Sequence, residues 1–162
     1  MTTRRNYRGF GLSGIDGKGR LAIPAKLRAA LEYNAGTERL LILSPSRNAR
    51  CLTGYDLPYA DLLPDVLAQE LAEADPDAAR ITRPNGNRLA FGTLEEVPFD
   101  QSGRLVIPPV LRKIAQLEDV VFFNGAGPII ELWNPHVLIA TPDMPEMMVE
   151  LVQFLLDEKA AA

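Results

Sequence analysis

The chain has 162 residues, 47% of them hydrophobic, with one cysteine, one histidine and a formal net charge of −4. A single cysteine excludes an intrachain disulfide framework and fits a reducing cytoplasm, one histidine and one cysteine argue against a His/Cys metal site, and no apolar run approaches the ~20 residues of a membrane span. Charge is unevenly placed, +7 over residues 1–50 and −11 over residues 51–162, the pattern of a basic face on an acidic body.

Residues 1–10 lack the apolar segment of a secretory signal. They form a basic arm in which Arg4, Arg5 and Arg8 lie among Asn6, Tyr7 and Phe10, cations that can neutralise phosphates. The aromatic residues predict that part of the arm is anchored as a strand. Next comes Asp16-Gly17-Lys18-Gly19-Arg20-Leu21-Ala22-Ile23-Pro24-Ala25-Lys26-Leu27-Arg28. Gly19 suits a tight turn that brings Asp16 near Arg20. Leu21 to Ile23 suit a short strand, and Pro24 stops it and opens a helix whose inner face holds Leu27 and Leu31. Residues 33–36 end that helix. Strands are expected at 40–43 and 51–55, joined by a turn-rich loop at 44–48.

Residues 56–83 predict an acidic helical stretch with Pro58 and Pro64 in first turns and an apolar stripe of Val66, Leu67 and Leu71. Pro84-Asn85-Gly86-Asn87 predicts a break, after which residues 89–92 and 94–99 lead into a second copy of the first unit. It runs Asp100-Gln101-Ser102-Gly103-Arg104-Leu105-Val106-Ile107-Pro108-Pro109-Val110-Leu111-Arg112, with Asp, Gly, Arg, Leu, Ile, Pro, Leu and Arg recurring at a constant offset of 84. Strands at 120–123 and 129–133 extend the repeat, so each half is turn, strand, helix, strand, loop, strand. An internal repeat of this kind sets the fold. A broad apolar stripe over 143–159 predicts a C-terminal helix that needs a partner surface.

Enzymatic chemistry finds little support. His136 follows Asn134-Pro135 at a strand end, Cys51 reads as a small core residue, and no glycine-rich loop has the flanking Lys-Ser/Thr of a phosphate-binding loop. No cofactor, metal or small-molecule substrate is implied. An exposed Asp/Arg pair by itself contributes only ~0–1 kcal/mol, so Asp16/Arg20 and Asp100/Arg104 could simply close their turns. The alternative is that each Asp aims an Arg fork at DNA, since Arg bidentate to guanine is the commonest specific base contact. Lys18 adds a phosphate contact in the first turn. Gln101 and Ser102 offer only neutral hydrogen bonds in the second, which predicts a larger share for the first.

Four features carry a resemblance over most of residues 7–138. They are Tyr7-Arg8-Gly9, the doubled Asp-x-x-x-Arg turn, the Gly-Arg-Leu-x-Ile-Pro run after each turn, and Glu131-Leu132-Trp133. The chain closely resembles the MraZ family of bacterial transcriptional regulators, and a single copy of the motif would suggest the broader AbrB-like group. The resemblance implies a mainly β fold with helices (α+β), a swapped-hairpin or double-psi β-barrel built from two AbrB-like repeats. Those repeats span 7–55 and 91–138, with a helical inter-repeat segment at 56–90 and the C-terminal helix at 143–159. It implies ring-like homo-oligomers that bind double-stranded DNA at direct repeats upstream of the division and cell-wall gene cluster, repressing that operon and thereby the chain's own gene. The location implied is cytoplasmic and nucleoid-associated, with no membrane partner. Carried over residue by residue, the DNA contacts are Asp16, Lys18, Arg20, Asp100 and Arg104, and Arg8 joins them from the arm. The rivals are an antitoxin-like protein-binding module and an enzyme on the same barrel.

Overall fold

The computed structural model describes residues 3–36, 38–73 and 75–162, apart from the side chains of 77–82. The first two residues of the expected arm, and residue 74 of the expected long helix, lie outside the described residues.

The strands are short because glycine turns and prolines cut them. β1 (Phe10–Gly14) leads through the first Asp-x-x-x-Arg turn into β2 (Arg20–Ala22). Pro24, extended at φ −52° and ψ 137°, stands at the N-cap of α1 (Ala25–Ala35), whose buried face holds Leu27, Ala30 and Leu31. β3 (Leu40–Pro45) and β4 (Leu52–Tyr55) follow. Asp56 caps α2 (Leu57–Ala72) by accepting a hydrogen bond from the Tyr59 N–H, and α3 (Pro76–Phe91) comes next. The second copy then gives β5 (Glu95–Pro98), β6 (Arg104–Val106) and α4 (Pro109–Ile114), with Pro108 at φ −52° and ψ 135°. β7 (Val120–Ala126), β8 (Ile129–Trp133), α5 (Pro135–Ala140) and α6 (Glu146–Ala161) complete the chain.

Six strands form one antiparallel sheet in the order β1-β7-β8-β4-β3-β5. β1 therefore lies beside a strand of the second half, and β5 beside a strand of the first. β2 and β6 form a separate two-stranded ribbon in which Leu21 faces Leu105, residues 84 apart in the chain. One apolar core receives Leu21, Ile23, Leu27 and Leu31 together with Leu105, Ile107 and Leu111, and adds Leu41, Leu43, Phe123, Ile130 and Leu132 from one sheet face. Alternation along each strand sends Phe122 and Trp133 to the opposite face, under Leu138 and Val152 of the last two helices. Ile42 and Tyr55 go the same way, under Tyr59 and Leu63 of α2.

Several expectations change. The fold is mixed α+β rather than mainly β, since helical residues outnumber strand residues among those described. The hydrogen-bonded ladder ends at β1 and β5 instead of closing as a barrel. Pro24 and Pro108 cannot donate to a ladder, which keeps the ribbon at three residues a strand. The break expected at Pro84-Asn85-Gly86-Asn87 lies inside α3. The interruption falls between Ala72 and Pro76, where Asp75 precedes a proline and is biased away from helix. Pro84 removes one helical donor, and the helix persists because it packs on α2 and β3 with Ala90 buried. Pro64 is likewise internal to α2, whose buried stripe is Tyr59, Leu63 and Leu67. α6 starts at Glu146 rather than 143, after Pro145 at its N-cap and Asp143 at φ 64°.

Candidate nucleic-acid interface

Each Asp-x-x-x-Arg segment closes on itself through local hydrogen bonds. Asp16 Oδ1 accepts from the Lys18 N–H at 2.8 Å and the Arg20 N–H at 2.9 Å, and Oδ2 accepts from Arg20 Nε at 3.0 Å. In the second turn Asp100 Oδ1 accepts from Ser102 and Arg104 N–H groups, both at 2.9 Å, and Oδ2 from Arg104 Nε at 3.1 Å. The backbone N–H groups of Gly19 and Gly103 donate to the Asp16 and Asp100 carbonyls. Both glycines take φ near +80°, at +78° and +80°, a conformation costly to other residues. The Arg20 N–H foremost, with the Lys18 N–H and the Arg20 guanidinium, holds the Asp16 carboxyl below the usual carboxylate range. The Arg104 N–H and guanidinium and the Ser102 N–H do the same for Asp100. Depressed carboxyls stabilise the turns above the ordinary aspartate range and lose that contribution as pH falls through the folded value.

The aspartates occupy only Nε of each arginine. Among the described residues no hydrogen bond engages the Nη atoms of Arg20 or Arg104, so each turn presents a two-pronged donor fork held at its base. The ribbon places both forks on one surface. Leu21 and Leu105 point into the core, which leaves Arg20, Ala22, Arg104 and Val106 on the outward face. Antiparallel pairing sets Arg20 opposite Val106 and Arg104 opposite Ala22, with the two turns at opposite ends. Arg20, Asp100, Arg104 and Val106 line a shared cleft of about 470 Å³.

A family model described as "MraZ protein, putative antitoxin-like" matches residues 90–137, the half that contains the second turn. A protein of Coxiella burnetii named "Transcriptional regulator MraZ" is 37% identical over 128 residues, covering 79% of each chain. Proteins of the same name from Legionella pneumophila and Rhodospirillum rubrum are 36% and 34% identical over 131 residues, covering 81% and 78% of each chain. The chain belongs to the MraZ family.

Of the candidate DNA contacts in this MraZ-family chain, the ribbon brings together Arg20 and Arg104 with their aspartates. Lys18 is exposed at the tip of the first turn, and Arg8 is exposed on the arm, in a cleft with Arg5, Lys26 and Tyr33. Arg4 departs from the expected basic face. It forks onto the buried Asp56 carboxylate, Nη1 to Oδ1 at 2.8 Å and Nη2 to Oδ2 at 2.6 Å. The Tyr7 hydroxyl donates to the same carboxylate. Arg5 stacks 3.8 Å from the Tyr33 ring centroid, and Asn34 clamps the Arg5 backbone through its N–H and carbonyl. The arm is thus largely bound to its own protein.

Arg28 lies outside the buried face of α1 formed by Leu27, Ala30 and Leu31. It reaches across the repeat, where Nη1 donates to the Ser102 carbonyl at 2.5 Å. The second turn, poor in charge by sequence, therefore acquires a cation from the first half. No local signal could show this, because the partners are 74 residues apart. Cys51 is buried, and that burial, with Glu131 adding to it, pushes its thiol up to about 12, far from nucleophilic use.

The two turns should differ in their tolerance of a side chain at glycine. A Cβ on Gly103 would sit 2.8 Å from Arg28 Cδ and Nη1, whereas one on Gly19 would meet only Val106 at 3.9 Å. Gly19→Ala is expected to cost about 1–2 kcal/mol from its left-handed backbone alone, and Gly103→Ala distinctly more, measured by urea unfolding. Equal losses would show that Arg28 swings aside freely.

Proposed function

We propose that this chain is a sequence-specific DNA-binding transcriptional regulator that acts through the outward face of the β2–β6 ribbon. The observation that carries the proposal is the pair of Asp-anchored arginine forks on one exposed two-stranded ribbon. A major groove admits such a ribbon, and a fork fixed at Nε is pre-set for guanine O6 and N7. The relatives' name, transcriptional regulator, supports the same function here. In this proposal Lys18 and Arg8 contact phosphates, and Asp16 and Asp100 orient the arginines. Residues 7–55 and 91–138 are duplicated AbrB-like units that interleave around one core in a swapped-hairpin arrangement, separated by 56–90 and followed by α6.

One ribbon offers few contacts, so operator affinity comes from a ring-like homo-oligomer that sets several ribbons on successive direct repeats. Linked sites raise avidity by ~10²–10⁴ when the spacing fits. The target proposed is the promoter of the division and cell-wall gene cluster, including this chain's own gene, with repression as the outcome, in the cytoplasm at the nucleoid. The test is a salt titration of operator and scrambled DNA, together with light scattering. Lys18→Ala is expected to lower the salt slope by ~0.9 for the phosphate it releases and to leave operator preference intact. Monomer alone at micromolar concentration with full operator binding would sink the oligomer claim.

The family model's description favours a second reading, an antitoxin-like module that binds a protein partner. A stable stoichiometric partner, bound equally by variants lacking Arg20 and Arg104, would support that reading over the DNA proposal.

A further inference from the structure

The outward face of the ribbon is not symmetric. Where the second strand carries Val106, the position 84 residues earlier is Ala22. Val106 is 49% exposed, although nothing about a three-residue strand requires a bare isopropyl group there. It pairs directly opposite Arg20. Its Cγ1 also lies beside Gly19, 3.9 Å from where a Cβ on that glycine would stand. The first turn thus carries a fork and a branched apolar group side by side. At the second turn the atoms that crowd the equivalent glycine, Gly103, belong to Arg28 and to the Ile23 carbonyl, not to Ala22.

Resting on the DNA proposal above, we infer that Val106 is a specificity-determining residue that packs on the 5-methyl group of a thymine next to the guanine read by Arg20. In the major groove thymine alone presents a methyl group, and apolar side chains are what recognise it. Arg20 and Val106 share one face across an antiparallel pair, so their side chains stand about 5 Å apart at Cβ, a reach that spans neighbouring base pairs. The two turns of one chain then read different steps, guanine with thymine at the first and guanine without a branched apolar neighbour at the second.

The experiment uses the full-length protein and duplexes that it enriches from a randomised pool, with each thymine replaced singly by deoxyuridine, which lacks only the methyl. One replacement is expected to weaken wild-type binding about fourfold, the worth of one buried methyl. Val106→Ala should bind the unmodified duplex more weakly by a similar factor and be indifferent to that replacement, with its oligomer mass by light scattering unchanged. A wild type insensitive to every uracil, enriched duplexes without thymine, or a Val106→Ala variant as sensitive as wild type would each overturn the inference while the DNA proposal stood. A changed mass in Val106→Ala would make Val106 a subunit contact and overturn it too. A pool from which nothing is enriched would remove the DNA proposal itself.

Discussion

Arg20→Ala is expected to reduce the discrimination between operator and scrambled DNA by ~1–3 kcal/mol per ribbon, the worth of one bidentate base contact, with larger losses when several ribbons engage together. Only Nε is committed, to Asp16 at 3.0 Å, so a base contact through the fork would require giving up no internal partner. Asp16→Asn should weaken discrimination in the same direction by leaving the guanidinium free to rotate. Lys18 made the first turn the stronger one on sequence grounds. The structure argues for comparable losses on Arg104→Ala, because the second turn matches the first in geometry and has Arg28 on its Ser102 carbonyl. The measurement is a titration of both DNAs with each variant. Equal weakening of operator and scrambled DNA by Arg20→Ala would make it a phosphate contact. Unchanged binding in both variants would make the doubled turn purely structural.

Arg4→Ala is expected to destabilise the fold by ~3 kcal/mol at neutral pH, at the lower end of the range for stranding a buried charge, since the Arg4 side chain is itself 32% exposed and Asp56 is fully buried. Burial acts to raise the Asp56 carboxyl, but the Arg4 fork, the Tyr7 hydroxyl and the Tyr59 N–H together hold it below the ordinary aspartate range. A depressed carboxyl stabilises the protein fully above the unfolded aspartate value, ~3.9, and the contribution is lost as pH falls through the lower folded value. Urea unfolding of wild type should therefore show stability falling with acid below about pH 4. The gap to Arg4→Ala should narrow over the same range, and Asp56→Asn should flatten the dependence. Because Arg4 faces Asp56 rather than the ribbon, folded Arg4→Ala should keep the wild-type salt slope for DNA. A stability within ~1 kcal/mol of wild type would place the pair among weak surface bridges, and a reduced slope would restore Arg4 to the basic face.

The doubled turn was legible in the sequence because its structure is local. Asp16 to Arg20 close a turn within five residues, a glycine supplies the positive φ, and the next proline ends the strand, so residue types and spacing specify the geometry without the rest of the chain. The apolar runs of the longer strands and the inner face of α1 were legible for the same reason, and so was the first-turn place of Pro58 in α2. What tertiary structure alone decided is where these pieces meet. The pairing of Leu21 with Leu105 puts two distant arginines on one face. Asp56 draws Arg4 from 52 residues away and takes it out of the cationic surface that charge counting had assigned. Arg28 crosses 74 residues to supply the turn that lacks cations of its own. Packing on α2 and β3 carries a helix through Pro84-Asn85-Gly86-Asn87, where local propensity alone predicts a stop. Turn chemistry acts over a few residues and is written in them, whereas charge placement and helix continuity depend on burial against surfaces that exist only after the chain has folded.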